Sequence, residues 1–163
     1  MAGRIEARLS ELGLRLPEPT APVANYVPFV QTGSLLFVSG QVSIGTEGPI
    51  LGQLRAGDQV EGAPPQGSAM AVAVHAARAS GLALLAQAKA ATGDLDRVAR
   101  VVKLTGFVNS APDFRQQPQV VNGCSDLMVE VFGDAGRHSR SAVGASSLPL
   151  GVMVEVEGVF EIG

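Results

Sequence analysis

Two short stretches near the carboxyl end carry the residues best suited to chemistry: an arginine among small residues and a row of carboxylates. Arg140 shares one side of an extended chain with Ala142 and Gly144, because side chains alternate faces along a strand. The open space suits a guanidinium that holds a planar carboxylate with two hydrogen bonds, which lysine would do poorly. Glu155 and Glu157 share one side of the next stretch. Carboxylates on a buried face are unfavourable unless water, a cation or a ligand contacts them.

These residues are predicted to stand on two strands. The residue pattern indicates strands at Ser139–Ala145 and Met153–Ile162. The segment between them contains residues that favour a turn, namely Ser146, Ser147, Pro149 and Gly151.

A hairpin is predicted near the amino end of the chain. Two apolar runs, Val27–Val30 and Leu35–Val38, are separated by Thr32-Gly33-Ser34. The second run continues into Ser39-Gly40-Gln41. Because Gly40 has no side chain, a ligand can approach the backbone closely there.

Two long helices are predicted to pack against the strands. The first spans Ser68–Thr92, with Ser68 as its cap, Gly93 as its stop and a stripe of small apolar side chains along one face. Gly81 inside this helix indicates a tightly packed contact, because glycine is unfavourable in a helix interior. The second helix spans about Pro118–Phe132.

The remaining segments complete a predicted α+β fold. Val98–Val108 is typical of a buried strand, Gly45–Gly67 of a loop, and the spacing of Ile5, Leu9 and Leu12 of a short first helix. After that helix the predicted order is β-β-α-β-α-β-β, with one more short helix ahead of the second long helix. This order indicates a mixed β-sheet with two main helices packed on one face. The other face also needs burial, which an oligomer would supply.

Composition restricts the possible functions. The 163 residues fit one domain, and the formal net charge of −3 disfavours a sequence-independent grip on nucleic acid. Cys124 is the only cysteine, so no intrachain disulfide is possible, and we expect a cytoplasmic protein. Charges in the first residues argue against a signal peptide, and His75 and Arg78 interrupt the most apolar run, so no membrane span is expected.

The candidate residues also have ordinary structural interpretations. Arg140 is consistent with a surface salt bridge, Glu155 with a solvated edge carboxylate and Asn122 with simple exposure. Tyr26 is consistent with packing at a strand start, and Gly40 with a β-bulge.

The histidines and the cysteine do not form a recognisable metal or nucleophile motif. His75 and His138 are not part of a ligand-spaced cluster, so no metal site is expected. His75 is interpreted as structural or surface, His138 as a possible pocket residue, and Cys124 as a small core side chain. Glu157 and Glu161 are interpreted as structural.

The motifs together resemble those of a known family. R-S-A-V, L-P and V-E-V-E at the carboxyl end, preceded by F-V-S-G-Q near the amino end, resemble the RidA/YjgF family of reactive-intermediate deaminases, often labelled endoribonuclease L-PSP. The resemblance runs from about Val23 to the carboxyl terminus. It predicts a single RidA-like domain over residues 23–163, preceded by a helix and a proline-rich extension over residues 1–22.

The resemblance implies a chorismate-mutase-like homotrimer with active sites between subunits. Such enzymes hydrolyse imines and enamines like 2-aminoacrylate to 2-oxo acids and ammonia, and the chemistry needs no metal or organic cofactor. Arg140 matches the arginine that binds the substrate carboxylate, and Glu155 the glutamate that positions or activates water. Tyr26, Gly40, Asn122 and Ala142 match the rest of the substrate pocket.

Three departures indicate a divergent subgroup. Ala142 stands where many relatives carry a cysteine, the Gly45–Gly67 loop is longer, and the first helix is added. Hydrolytic deamination of imines and enamines is therefore one hypothesis, and a trimeric binder or sensor of carboxylated metabolites is the alternative. Ribonuclease activity fits the acidic chain least well. The fold alone neither supports nor excludes a lyase or isomerase that acts on a ring acid.

Overall fold

The computed structural model describes residues 3–163. They form three α-helices, seven β-strands and short 3₁₀ turns at residues 56–58, 95–97, 133–136 and 149–151. In chain order the elements are α1 (Arg4–Glu11), β1 (Phe29–Thr32), β2 (Leu35–Val42), β3 (Ile44–Gly45), β4 (Gly48–Pro49), α2 (Ala69–Thr92), β5 (Val98–Asn109), α3 (Gln117–Phe132), β6 (Ser139–Ala145) and β7 (Val154–Ile162).

Five strands form one mixed sheet in the order β1-β2-β7-β5-β6. β5 and β6 are parallel and are connected through α3, whereas the other neighbouring pairs are antiparallel. The prediction of an α+β fold with a mixed sheet is confirmed. β6 and β7 follow each other in the chain but are not neighbours, because β7 inserts between β2 and β5.

Helices α2 and α3 cover one face of this sheet, as predicted. Along β7 every second residue from Val154 to Ile162 is buried on this face, whereas the alternate residues Glu155, Glu157, Val159 and Glu161 are not. The two helices pack closely: a Cβ on Gly81 would lie 3.0 Å from the Cys124 sulfur. Among residues 3–163, α2 is the one helix long and apolar enough to cross a membrane, but more than half of its most apolar window is buried in this core.

Within residues 3–163, no helix covers the opposite face of the sheet. Cross-strand pairing places Val30, Phe37 and Val143 on this open face, where they are 53%, 44% and 44% exposed. Phe107 and Val159 lie on the same face and are half-buried. A band of exposed apolar side chains across a sheet is typical of a surface that another chain covers.

Two connections between elements differ from the sequence prediction. The predicted loop over residues 45–67 contains β4 and a 3₁₀ turn, and β4 pairs with β3 in a small ribbon. The short helix predicted ahead of α3 is absent: residues 112–113 form a turn. Neighbouring loops hold this segment open, because Ala111 donates its backbone N–H to Leu54 and the Gln116 side chain bonds both backbone groups of Val60.

Helix α1 is held by a cap from a distant part of the chain. Its N-cap is Gly3, which has no side chain, and the backbone N–H groups of Arg4 and Ile5 donate instead to the Asp96 carboxylate, each at 2.7 Å. The bonds from Ile5 and Arg4 lower the pKa of Asp96. Ile5 and Leu9 are buried in the main core, so α1 is packed onto the domain.

Candidate functional site

Strand β6 places Arg140 beside α3. Arg140 and Ala142 pair with Leu104 and Gly106 of β5, so they project toward the helices. Arg140 Nη1 donates to Asn122 Oδ1 at 2.8 Å and to Ser125 Oγ at 3.1 Å. The predicted neighbours Arg140, Ala142 and Asn122 therefore do come together.

A second pair of residues extends this cluster. Ser125 Oγ lies 2.9 Å from His138 Nε2, and His138 Nδ1 lies 2.6 Å from the Gly136 carbonyl oxygen. A carbonyl can only accept, so Nδ1 carries the proton and, in the neutral imidazole, Nε2 accepts from the Ser125 hydroxyl. Ser125 in turn accepts from Arg140. We define Asn122, Ser125, His138 and Arg140 as the arginine cluster.

The arginine retains unused donors. Among residues 3–163, neither Nε nor Nη2 of Arg140 has a hydrogen-bond partner, and no carboxylate pairs with the guanidinium. The surface salt bridge considered from sequence is therefore not formed within the described part of the chain. A planar guanidinium with free donors is suited to binding a carboxylate.

The second group of candidate residues surrounds a cavity at the end of β2. This cavity, of about 660 Å³, is bordered by Tyr26, Gly40 and Glu155, by residues 14–22 and by α2. We call it the glutamate cavity. The register of β2 against β7 shifts between Val38 and Gln41, which is a β-bulge.

The bulge brings the backbone of Gly40 against Glu155. A Cβ on Gly40 would collide with Glu155 Oε1, so no larger residue fits without moving the carboxylate. The interpretation of Gly40 as a bulge glycine is confirmed. Close approach of a ligand to its backbone stays a prediction, since the group found beside it is the Glu155 carboxylate. The close contact fixes where the Glu155 carboxylate lies.

The environment of Glu155 favours its protonated form. Burial, and secondly the charge of Glu157, raise the pKa of Glu155 above its ordinary value. A carboxyl group with a raised pKa can exchange protons closer to neutral pH.

The two groups lie on opposite faces of the sheet. Glu155 pairs with Phe107 and Val42 and belongs to the open face, whereas Arg140 pairs with Leu104 on the helix face. Strand β5 separates β7 from β6. One chain thus brings Tyr26, Gly40 and Glu155 together, and Arg140, Asn122 and Ala142 together, but not the two groups with each other.

The remaining candidates have structural surroundings. Cys124 is fully buried, and burial raises the pKa of its thiol to about 12, so it stays protonated near neutral pH. This agrees with the interpretation of Cys124 as a core side chain. Within residues 3–163, no three His, Cys, Asp or Glu side chains are placed to hold a metal ion.

Sequence reasoning missed Ser125. It lies three residues after Asn122 on α3, so the two side chains share a helix face. The spacing of three residues from Asn122 could have indicated that Ser125 lies beside Arg140. His138, which completes the arginine cluster, was interpreted from the sequence only as a possible pocket residue.

We expect Glu155→Gln to stabilise the fold more at about pH 7.5 than at about pH 4. The raised pKa means that the folded state binds this proton more readily than the unfolded chain. The contribution of Glu155 to stability is therefore full below its unfolded pKa and lost as pH rises through the raised pKa. Thermal unfolding at both pH values tests this, with Glu161→Gln on the same strand as the control. A larger gain at the lower pH would contradict it.

Fold and site together define a small α+β domain of the chorismate-mutase-like type, with an arginine that keeps free donors on one sheet face and a half-buried glutamate on the other. The chain belongs to the RidA/YjgF family: residues 6–161 match the family described as "YjgF/chorismate_mutase-like, putative endoribonuclease". The resemblance seen in the motifs is confirmed. The matched range begins before those motifs and includes most of α1.

Three individual relatives are similar to this chain over nearly its whole length. The chain is 47% identical to Protein TCP17 of Trypanosoma cruzi, over 99% of this chain and 96% of that protein. It is 43% identical to Atu1372 of Agrobacterium tumefaciens, a protein of unknown function, whose crystal structure matches 98% of this chain and 93% of that chain with a TM-score of 0.82. A crystal structure from Shewanella oneidensis, titled a "putative endoribonuclease", is 31% identical, covers 98% and 100% of the two chains and has a TM-score of 0.86.

Proposed function

We propose that this protein hydrolyses reactive imines and enamines derived from amino acids to 2-oxo acids and ammonia. The observation that carries the proposal is the Arg140 guanidinium, which is oriented by Asn122 and Ser125 and keeps donors free for a carboxylate. Ala142, on the same face of β6, takes up little space beside it. The motif resemblance to the reactive-intermediate deaminases supports the same reaction, while the matching family description names a putative endoribonuclease.

In this proposal Arg140 binds the substrate carboxylate, and backbone groups near Gly40 and Ala142 assist. Tyr26 and Asn122 complete the pocket. An enamine first tautomerises to the imine, and water then adds through its oxygen to the imine carbon while Glu155 accepts a proton. Glu155 returns that proton to the nitrogen, which gives a carbinolamine. The hydroxyl proton of the carbinolamine then passes to nitrogen by way of Glu155 as the C=O bond forms and the C–N bond breaks, which releases ammonia and leaves the 2-oxo acid. Most of the acceleration comes from orientation, because the imine is already electrophilic.

The catalytic groups come together between copies of the chain in a homotrimer. Two observations support this part of the proposal. Arg140 and Glu155 lie on opposite sheet faces, so one chain cannot present both to one small substrate. The open face exposes Val30, Phe37 and Val143, which a neighbouring subunit would bury.

The direct test is release of 2-oxo acid and ammonia from 2-aminoacrylate generated in situ by a separate dehydratase. Wild type should accelerate release above the spontaneous rate. Glu155→Gln should reduce the acceleration by about 10²-fold or more, since it removes the proton acceptor, and Glu161→Gln should not. No acceleration with several imines would overturn the proposal.

A non-catalytic binder of carboxylated metabolites is the second candidate. One observation favours it: the arginine cluster is complete within one chain, whereas Glu155 lies elsewhere. Calorimetric binding of 2-oxo acids that depends on Arg140, without turnover of any imine, would establish this function instead. RNA cleavage that is lost in Arg140→Ala would support the activity in the family description.

A further inference from the structure

We infer that the glutamate cavity receives the substrate side chain, and that the preferred substrates are imines of amino acids with large apolar side chains, such as leucine, methionine and phenylalanine. The inference rests on the proposed deaminase function. It assigns the side-chain class of the substrate.

The size of the cavity is the first argument. Its volume is about 660 Å³, within the range of pockets that enclose ligands of substantial size. The three-carbon 2-aminoacrylate has six heavy atoms and would fill on the order of 100–200 Å³ at the volume that water takes up per molecule. Most of the cavity would then stay filled with water.

The lining is the second argument. Three structural elements contribute mainly apolar groups to the walls: Leu16 and prolines from residues 14–22, Leu82 and Ala83 from α2, and Ile44 from β3. Water against such walls is readily displaced by an apolar side chain, with a gain of about fourfold in affinity per buried methylene. A leucine-derived imine has three more carbons than an alanine-derived one, which predicts roughly a 50-fold higher kcat/KM.

The charges around the cavity provide no positive surplus for an acidic side chain, because Arg15 and Arg78 border it together with Glu18 and Glu155. Arg78 borders the cavity, but its guanidinium is paired with Glu130 at 2.7 Å. Glu155 lies at the other border, and its position is set by Gly40. An imine derived from aspartate or glutamate would bring a second carboxylate toward Glu155, where like charges repel.

The position of Glu155 connects the cavity to the chemistry. The carboxylate proposed to handle the proton borders the cavity directly, together with Tyr26. A side chain extending from the imine carbon can therefore enter the cavity while the reacting carbon stays beside Glu155.

The test compares imines produced by one broad-specificity L-amino acid oxidase from alanine, leucine, methionine and phenylalanine. The protein's acceleration of 2-oxo acid release is measured for each. Ala83→Leu partly fills the cavity and should lower kcat/KM for the three large imines by about tenfold or more, with little effect on the alanine imine. Ala90→Leu, at an exposed position on the same helix, should change neither.

The outcomes separate this inference from the proposed function. A preference for large apolar imines that Ala83→Leu removes would support it. Equal or better activity on the alanine imine would overturn it while leaving the deaminase function intact. Absence of acceleration with every imine would overturn both.

A different observation carries a second inference: we propose that Ser125 and His138 are positioning residues for Arg140. The hydrogen bonds run from Arg140 to Ser125, from Ser125 to His138 and from His138 to the Gly136 carbonyl. This series of hydrogen bonds fixes the position of Arg140 Nη1 and so orients Nε and Nη2 toward the substrate carboxylate. It also rests on the proposed function.

Positioning predicts an effect on KM rather than on kcat. Ser125→Ala and His138→Ala should each raise KM about five- to tenfold with a smaller change in kcat, because carboxylate binding is weakened and the proton transfer is not. The double variant should be no worse than the single ones, since both act through one chain of bonds, and Ser125→Thr should restore KM. Unchanged KM in both single variants, or additive effects, would overturn the inference.

Discussion

Replacing Arg140 by alanine is expected to abolish imine hydrolysis, with a loss of at least 10²- to 10³-fold in kcat/KM. Removing one partner of a desolvated, hydrogen-bonded charge pair costs about 2–5 kcal/mol, and the orientation of the imine depends on its carboxylate. The fold should be little changed, because Arg140 is only half-buried and its protein contacts are with Asn122 and Ser125. The measurement is steady-state hydrolysis together with thermal unfolding.

Two companion variants make this test specific. Arg140→Lys should recover only a small part of the activity, because an ammonium cannot reproduce the two parallel hydrogen bonds of a guanidinium. Arg137→Ala removes a nearby arginine whose side chain is 72% exposed, and it should leave activity unchanged. Full activity in Arg140→Ala would mean that the arginine is structural.

The second large effect is expected on stability, from Gly123→Ala. A Cβ on Gly123 would collide with the backbone carbonyl oxygen of Val74, so α2 and α3 would have to move apart. Overpacking of this kind costs about 3 kcal/mol. For a protein of this size, that corresponds to a fall in Tm of roughly 6–12 °C.

Helix propensity makes the sign of this effect diagnostic. Glycine to alanine in a helix interior is intrinsically stabilising by about 1 kcal/mol, so propensity alone predicts a higher Tm. Gly57→Ala is the matched control, since nothing lies within 4 Å of the added Cβ, and it should be neutral or slightly stabilising. An unchanged or raised Tm for Gly123→Ala would show that the helices tolerate separation.

Local features of the fold could be predicted because they depend on neighbouring residues. Ser68 caps α2 by accepting from the Ala71 N–H, and Gly93 ends it in a left-handed conformation, as their types indicated. The bounds of β6 were predicted correctly, and those of α3 and β7 to within one residue. In each case the deciding interactions lie within one turn or one strand.

Features that join distant segments could not be predicted in the same way. The insertion of β7 between β2 and β5 depends on pairing across the sheet, and the Asp96 cap of α1 joins residues about 90 positions apart. The separation of Arg140 from Glu155 also follows from strand order. Periodicity placed each residue correctly on its own strand, but it carries no information about which strands are neighbours.

Complementation between two inactive variants tests the account most directly. Arg140→Ala and Glu155→Gln are each prepared alone, and are then unfolded and refolded together in equal amounts. In a trimer with sites between subunits, every mixed trimer has one site that combines an intact Arg140 with an intact Glu155. Random mixing predicts about one quarter of wild-type activity, because about three quarters of trimers are mixed. Activity no greater than that of the separate variants would contradict a shared site between subunits.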